Sequence, residues 1–166
     1  MSVRIIRTEG DTILRKVSKE VKELTDNLKV LISDMKETMN DSNGVGIAAV
    51  QVGVLRRIII VENVDNNEQN VYINPEIIEL SKEHEIDTEG CLSVPGMKGK
   101  VDRPIKIKVR AKNENMEDVE FEASGLYARE ILHEVDHLDG ILYIDKVEEG
   151  TLTEVEEGEE EVVAND

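Results

Sequence analysis

The sequence predicts an α+β fold, and three observations carry that prediction. Short β-branched runs recur through the middle of the chain, two segments show helical periodicity, and strands and helices do not alternate as βαβ units require. At 166 residues the chain fits one domain. It has three tyrosines, one phenylalanine and no tryptophan, so the core falls to Ile, Val, Leu and Met.

The first helix is expected in "TDNLKVLISDMKETMNDSNG". Leu28, Leu31, Ile32, Met35 and Met39 recur at helical spacing, Thr25 or Asp26 can cap the start, and Asn43-Gly44 stops it. "RIIIVE" (Arg57 to Glu62) reads as a buried strand, and the polar "NVDNNEQN" after it as a turn. "NVYINPEIIELS" reads as two short strands broken around Pro75. In "PIKIKVRAKNENMEDVEFEASG", Ile105, Ile107 and Val109 alternate with Lys106, Lys108 and Arg110. Val119, Phe121 and Ala123 alternate with Asp118, Glu120 and Glu122. That is a hairpin with one apolar face and one solvated face of basic against acidic residues. The second helix runs from Ser124, as its cap, to about Asp139, ended by Gly140. After Lys146 no basic residue remains, and "VEEGTLTEVEEGEEEVVAND" is expected to be a flexible acidic tail.

Charge and cysteine usage narrow the function classes. A formal net charge of −17 argues against direct binding to nucleic acid or to anionic membrane. No apolar run approaches the ~20 residues of a membrane span, and the N-terminal residues lack the apolar core of a secretion signal. A single cysteine, Cys91, allows no intrachain disulfide and suits a reducing cytosol.

The chemistry concentrates in "EILHEVDHLDG". At ~100° per residue, His133 and His137 project within ~40° of each other, one turn apart, as two ligands of one metal must. Ala128, Ile131, Leu132, Val135 and Leu138 fall on the opposite side. Glu134 follows the first histidine, within reach of a water at such a metal, which is the H-E-x-x-H arrangement with its glutamate as general base. A helix with two ordinary histidines is the competing reading. His84, the third histidine, sits among charges in "SKEHEID" and reads as a solvated residue.

The third ligand decides the class. The extended metzincin motif would require a histidine where Tyr143 stands. A later glutamate, as in thermolysin, would have to come from in or near the acidic tail. The remaining candidate is Cys91 in the loop-like "TEGCLSVPG", whose thiolate would leave a fourth position open for water. A lone cysteine is also an ordinary core residue. A structural zinc site is disfavoured, because no C-x-x-C pair is present. "GVGIAAVQVG" adds glycines that permit close backbone approach and Gln51, whose amide could donate to an oxyanion; it lacks the lysine of a phosphate loop.

Together these segments resemble peptide deformylase. Its three motifs, G-x-G-x-A-A-x-Q, E-G-C-L-S and H-E-x-D-H, stand here at Gly44–Gln51, Glu89–Ser93 and His133–His137, in order, with a likeness from about residue 5 to 147. The resemblance implies a catalytic domain over 1–147, with small antiparallel or mixed sheets packed around a central helix that carries H-E-x-x-H, and a tail over 148–166. It implies removal of the formyl group from the N-terminal formyl-methionine of new polypeptides in the bacterial cytosol, releasing formate. Cys91, His133 and His137 would hold one metal, usually Fe²⁺, with Zn²⁺, Ni²⁺ or Co²⁺ able to substitute. Glu134 would carry the proton, while Gln51 and the Leu92 backbone N–H would stabilise the oxyanion. An extended substrate would pair near Val45, Gly46, Glu89 and Gly90, with its methionine in an apolar pocket whose mouth lies near Arg129 and Glu130. Partners would be formyl-methionyl peptides and nascent chains, with only transient proximity to the ribosome, since the acidic tail is no basic docking helix. Leu132 and Lys98 depart from the residues common in the family and bear on preference beyond methionine. A non-catalytic metal-binding protein and a metalloprotease are the competing classes. Glu134 and Gln51 count against the first and the missing downstream ligand against the second.

Overall fold

The computed structural model describes residues 2–155. Helix α1 covers Asp26–Asp41, and the Thr25 hydroxyl accepts from the Leu28 N–H at 3.3 Å, as a capping threonine should. Strands β1 (Gly46–Ala48), β2 (Ile58–Asn63), β3 (Glu68–Leu80), β6 (Lys106–Lys112) and β7 (Asp118–Ser124) form one antiparallel sheet in the order β1-β2-β3-β6-β7. Strands β4 (His84–Cys91), β5 (Val94–Pro104) and β8 (Thr153–Glu154) form a second. Helix α2 covers Gly125–Leu138, following Ser124, whose hydroxyl makes no capping bond.

The period-two rule of a strand explains how the larger sheet is covered. In β2, Ile58 and Ile60 join Leu31, Ile32, Met35 and Met39 of α1 in one apolar cluster. Ile59 and Val61 point the other way, into a cluster with Ala128, Ile131, Leu132 and Leu138 of α2. The near-continuous apolar run of β2 therefore reflects a strand buried on both faces. α2 lies inside the molecule, and its polar face is buried too: Glu130, His133, Glu134 and His137 are each at most 2% exposed. No helix among the described residues is long and apolar enough to cross a membrane.

Three segments depart from the sequence expectation. The run around Pro75 is one thirteen-residue strand, with a register shift between Ile73 and Glu76 that absorbs the proline. Asn74 sits there at φ 53°, and its amide bridges the Val21 N–H and carbonyl. The cysteine segment is no loop: β4 and β5 form a hairpin, Cys91 pairs with Val94, and Leu92 and Ser93 make the turn. The expected flexible tail packs for its first eight residues. The Glu148 N–H donates to the Lys100 carbonyl, β8 pairs with Met97 and Lys98 of β5, and the Val155 N–H reaches the Gly96 carbonyl. Gly99 leaves room for this turn, since a Cβ there would stand 2.7 Å from Val147 Cγ1. The rest of the acidic tail, 156–166, lies outside the described residues.

The basic and acidic faces of the β6–β7 hairpin do meet, as Arg110 opposes Glu120 and Lys112 opposes Asp118. These pairs are exposed, and each adds less than about 1 kcal/mol.

Truncation after Gly150 removes β8, whose two residues are exposed. The expected loss is about 1 kcal/mol, read as a fall in melting temperature of roughly 2–4 °C for a chain of this size. A fall of ten degrees or more in thermal unfolding would mean that the tail carries part of the core.

Candidate active site

The structure brings the three motifs together where α2 passes between β1 and the β4–β5 hairpin. Ligand atoms of Cys91, His133 and His137 all lie within 4.8 Å of one another. Cys91 Sγ is 3.3 Å from His137 Nε2. His133 Nε2 is buried with no hydrogen-bond partner, so the three donors face a common point that no protein atom fills. A tetrahedral divalent ion takes this donor set and keeps one position open.

Each ligand is held from behind. The Glu89 carboxylate accepts from His133 Nδ1 at 2.9 Å, which fixes the ring with Nε2 directed at the cluster. Glu89 is itself fully buried and accepts from Arg103 at 2.6 and 2.9 Å and from Arg129 at 2.7 Å. Burial works against its charge, but the Arg103 and His133 bonds hold its carboxyl well below the ordinary range. Arg103 also reaches Asp136 at 2.9 Å. Tyr143 stacks on His133 with ring centroids 5.9 Å apart. Burial, then the neighbouring His133, keep His137 neutral by pulling it far below its usual value, the state a ligand needs. Burial, with Glu134 next, pushes the Cys91 thiol up, a tendency that a bound cation reverses.

Gln51 is oriented without ambiguity. The Ala48 N–H donates to its side-chain oxygen at 2.8 Å, so the amide nitrogen faces the cluster, 3.0 Å from Ser93 Oγ and 3.7 Å from Cys91 Sγ. Glu134 is fully buried, and neither of its oxygens has a partner. Burial, then Glu130 and Glu89, raise its carboxyl well above the ordinary range. Gly46 makes its position possible: a Cβ there would lie 2.6 Å from Glu134 Oε2. Gly44 plays a similar part for Leu92, whose Cδ1 would meet a Cβ at 2.9 Å.

Two residues expected near the substrate pocket sit elsewhere. Arg129 is no mouth residue; it is buried and clamps α2 to the hairpin through Glu89, the Val101 carbonyl at 2.9 Å and the Glu85 carbonyl at 2.7 Å. The Glu89 side chain is wholly engaged with Arg103, Arg129 and His133, which leaves only its backbone for a peptide. Val45 and Gly46 lie at the start of the edge strand β1, and Gly90 at the irregular pairing of edge strand β4. Glu130 is buried as well, about 100° around α2 from Arg129. His84 is solvated, as expected, beside Asp102. Sequence reading missed Arg103, Asp136, Ser93 and Tyr143. The signal for Arg103 was an arginine in a strand that pairs with the metal motif, visible only once the hairpin is known.

The comparisons with known proteins agree with this geometry. The profile of the polypeptide deformylase family matches residues 3–152. A peptide deformylase of Agathobacter rectalis is 52% identical over 155 residues, 93% of this chain and 96% of that protein. One of Lachnoclostridium phytofermentans is 49% identical over 164 residues, 97% of this chain and all of that protein. The crystal structure of peptide deformylase from Thermotoga maritima superposes with a TM-score of 0.84 at 42% identity, covering 88% of this chain and 98% of that one. With a matched profile over most of its length and half its residues shared with such relatives, the chain belongs to the polypeptide deformylase family.

Proposed function

We infer that the protein is a metal-dependent hydrolase that removes the N-formyl group from formyl-methionyl polypeptides and releases formate. The observation that carries the assignment of roles is the convergence of Cys91, His133 and His137 beside an unpartnered, buried Glu134. A divalent cation held by these three residues supplies Lewis acidity and lowers the pKa of water. A thiolate with two imidazoles suits Fe²⁺, with Zn²⁺, Ni²⁺ or Co²⁺ as substitutes.

The chain's own residues do the rest. Glu134, with no hydrogen bond to hold it elsewhere, accepts the proton of the attacking water and later delivers it to the departing amine. Its raised carboxyl makes it a competent acid for the second step. The Gln51 amide nitrogen, aimed at the cluster, and the Leu92 N–H donate to the oxygen that gains charge at the formyl carbon. An extended peptide adds to the open edge of β1 near Val45 and Gly46, with the Glu89–Gly90 backbone of β4 opposite. Arg103 and Arg129 act at one remove, by fixing Glu89 and through it His133. The reading places the protein in the cytosol, where its substrates arise and its thiolate stays reduced. Contact with nascent chains then needs only brief proximity to the ribosome.

The direct test is turnover of formyl-Met-Ala-Ser against its unformylated counterpart by protein purified without oxygen, with metal content measured. Release of formate is expected; hydrolysis of the unformylated peptide bond instead would point to a protease.

Glu134→Ala should keep the metal and lose most turnover, because it removes a proton carrier and no ligand. Activity within about tenfold of the parent would place the base elsewhere.

Gln51→Leu should lower kcat by roughly 10²–10³ with a smaller change in KM. A change confined to KM would make Gln51 a substrate-positioning residue only.

Glu89→Ala leaves the buried Arg129 without its anion and Arg103 with Asp136 alone. The expected cost is about 3–5 kcal/mol, roughly a 10 °C fall in melting temperature, with metal affinity weakened by about 10–100-fold. Because the folded carboxyl titrates below its ordinary value of 4.5, its contribution is full above that pH and drains away as pH falls through the depressed value. The stability gap between parent and variant should therefore narrow in acid; a constant gap would mean that packing, not charge, is lost.

A further inference from the structure

A side-chain amide nitrogen carries two hydrogens, and in Gln51 each already has an acceptor. The nitrogen reaches Ser93 Oγ at 3.0 Å and Cys91 Sγ at 3.7 Å. The carbonyl end of the same amide is fixed by the Ala48 N–H at 2.8 Å. Gln51 and Ser93 have no exposed surface, so the amide can trade partners only inside the site. To donate to a formyl oxygen, it must release one of its two bonds.

The two acceptors are unequal. Sulfur is the poorer one, it stands farther away, and it also accepts from the backbone N–H groups of Ser93 and Val94. A cation at the sulfur draws off more of its charge. The Ser93 hydroxyl is close, and its place relative to Gln51 is set by a common strut. The Arg7 N–H donates to the Gln51 carbonyl and the Glu9 N–H to the Ser93 carbonyl, each at 2.7 Å. One short N-terminal segment thus fixes the spacing between the two motifs.

An oxygen that gains charge is a stronger acceptor than a metal-shared sulfur. The bond to Cys91 is therefore the one exchanged as the reaction proceeds, while the bond to Ser93 persists. We propose that Ser93 is a positioning residue: its hydroxyl keeps one N–H of Gln51 throughout the reaction, so that only the N–H now at the Cys91 sulfur passes to the formyl oxygen. This rests on the deformylase reading. Without the hydroxyl, the amide stays tethered at Ala48 but nothing divides its two hydrogens between a fixed and an exchanging role. Ser93 touches no reacting atom and acts through Gln51 alone.

The experiment is a double-mutant cycle on metal-loaded protein with formyl-Met-Ala-Ser. Ser93→Ala should lower kcat by about fivefold, the scale of one net hydrogen bond, with KM and metal content nearly unchanged. In a Gln51→Leu background the same substitution should cost nothing further, because no donor is left to aim. An unchanged kcat, a loss of the same size in both backgrounds, or a change confined to KM overturns the role of Ser93. Zinc-loaded protein labelled for NMR gives a readout without turnover. On addition of formate, one side-chain amide proton of Gln51 should shift and the other, on Ser93, should stay. Two protons that move together overturn the assignment, as do two that stay at formate concentrations that inhibit turnover. Should Ser93→Ala not fold, this spectrum of the parent decides. A metal-loaded parent inactive on the formyl peptide overturns the deformylase reading and this inference with it, whereas an active parent with additive losses removes Ser93 alone.

Discussion

The buried carboxylate of Glu89 is the constraint on which the site depends. It stands on β4 and takes hydrogen bonds from Arg103 on β5 and from Arg129 and His133 on α2. One anion thus ties the three-stranded sheet to the helix that carries two of the ligands. The cost of burying it is offset because every oxygen is engaged with a donor and two of the donors are cationic. Asp136, on the next turn of α2, also pairs with Arg103, with Lys146 on its solvent side at 3.1 Å. Cys91 lies two residues after Glu89 on the same strand, so the ionic lock and the cysteine cannot shift independently. The helix register relative to the hairpin and the orientation of the His133 ring are consequences of the same bonds.

Opposite that satisfied network lies an unsatisfied one. Glu134 and Glu130 are buried on successive turns with no hydrogen-bond partner, and burial, then Glu130, disfavour ionisation of Glu134. An α+β domain selected for stability alone would not keep both, since an orphaned buried polar group costs about 1–3 kcal/mol. Neighbouring faces of α2 are therefore unlike: Arg129 and His133 are fixed by strong bonds, while Glu134 is held by none. Gly46 completes the contrast, because the backbone of β1 must come close enough to exclude water without offering Glu134 a hydrogen bond that would hold it.

What the sequence revealed follows from what is local. The histidine pair, Glu134 and the two helices are periodic or contiguous signals, and α1 keeps both the capping threonine and the apolar stripe read from it. The single strand through Pro75 was not legible, because Asn74 reaches fifty-three residues back to Val21 and that contact stabilises the bulge. Arg129 was misplaced for the same kind of reason. Its position on the helix was right, but a long side chain beside an apolar pocket reads as a rim residue until its anion, forty residues away in sequence, is in place. The tail was read from charge alone. Charge composition gives no weight to a backbone edge such as Gly96–Lys100, which can order the first eight residues of an acidic tail through main-chain bonds.

Placing the chemistry on two edge strands explains how so enclosed a centre can meet a polypeptide. β1 ends the larger sheet and β4 ends the smaller, and each brings a motif to its free edge: Gly46 on one, Glu89–Cys91 on the other. Unpaired main-chain groups are a hazard on most protein surfaces. In the proposed reading they would offer an extended peptide backbone bonds that ignore side-chain identity, which a processing enzyme acting on many polypeptides needs. Selectivity is then confined to the chain terminus. In the proposed reading the formyl carbon reaches Glu134 beside the Cys91, His133 and His137 cluster. Recognition by backbone along the edges and by chemistry only at the tip follows from that division, and it accounts for a centre that is rigid behind the metal ligands and open along its strands.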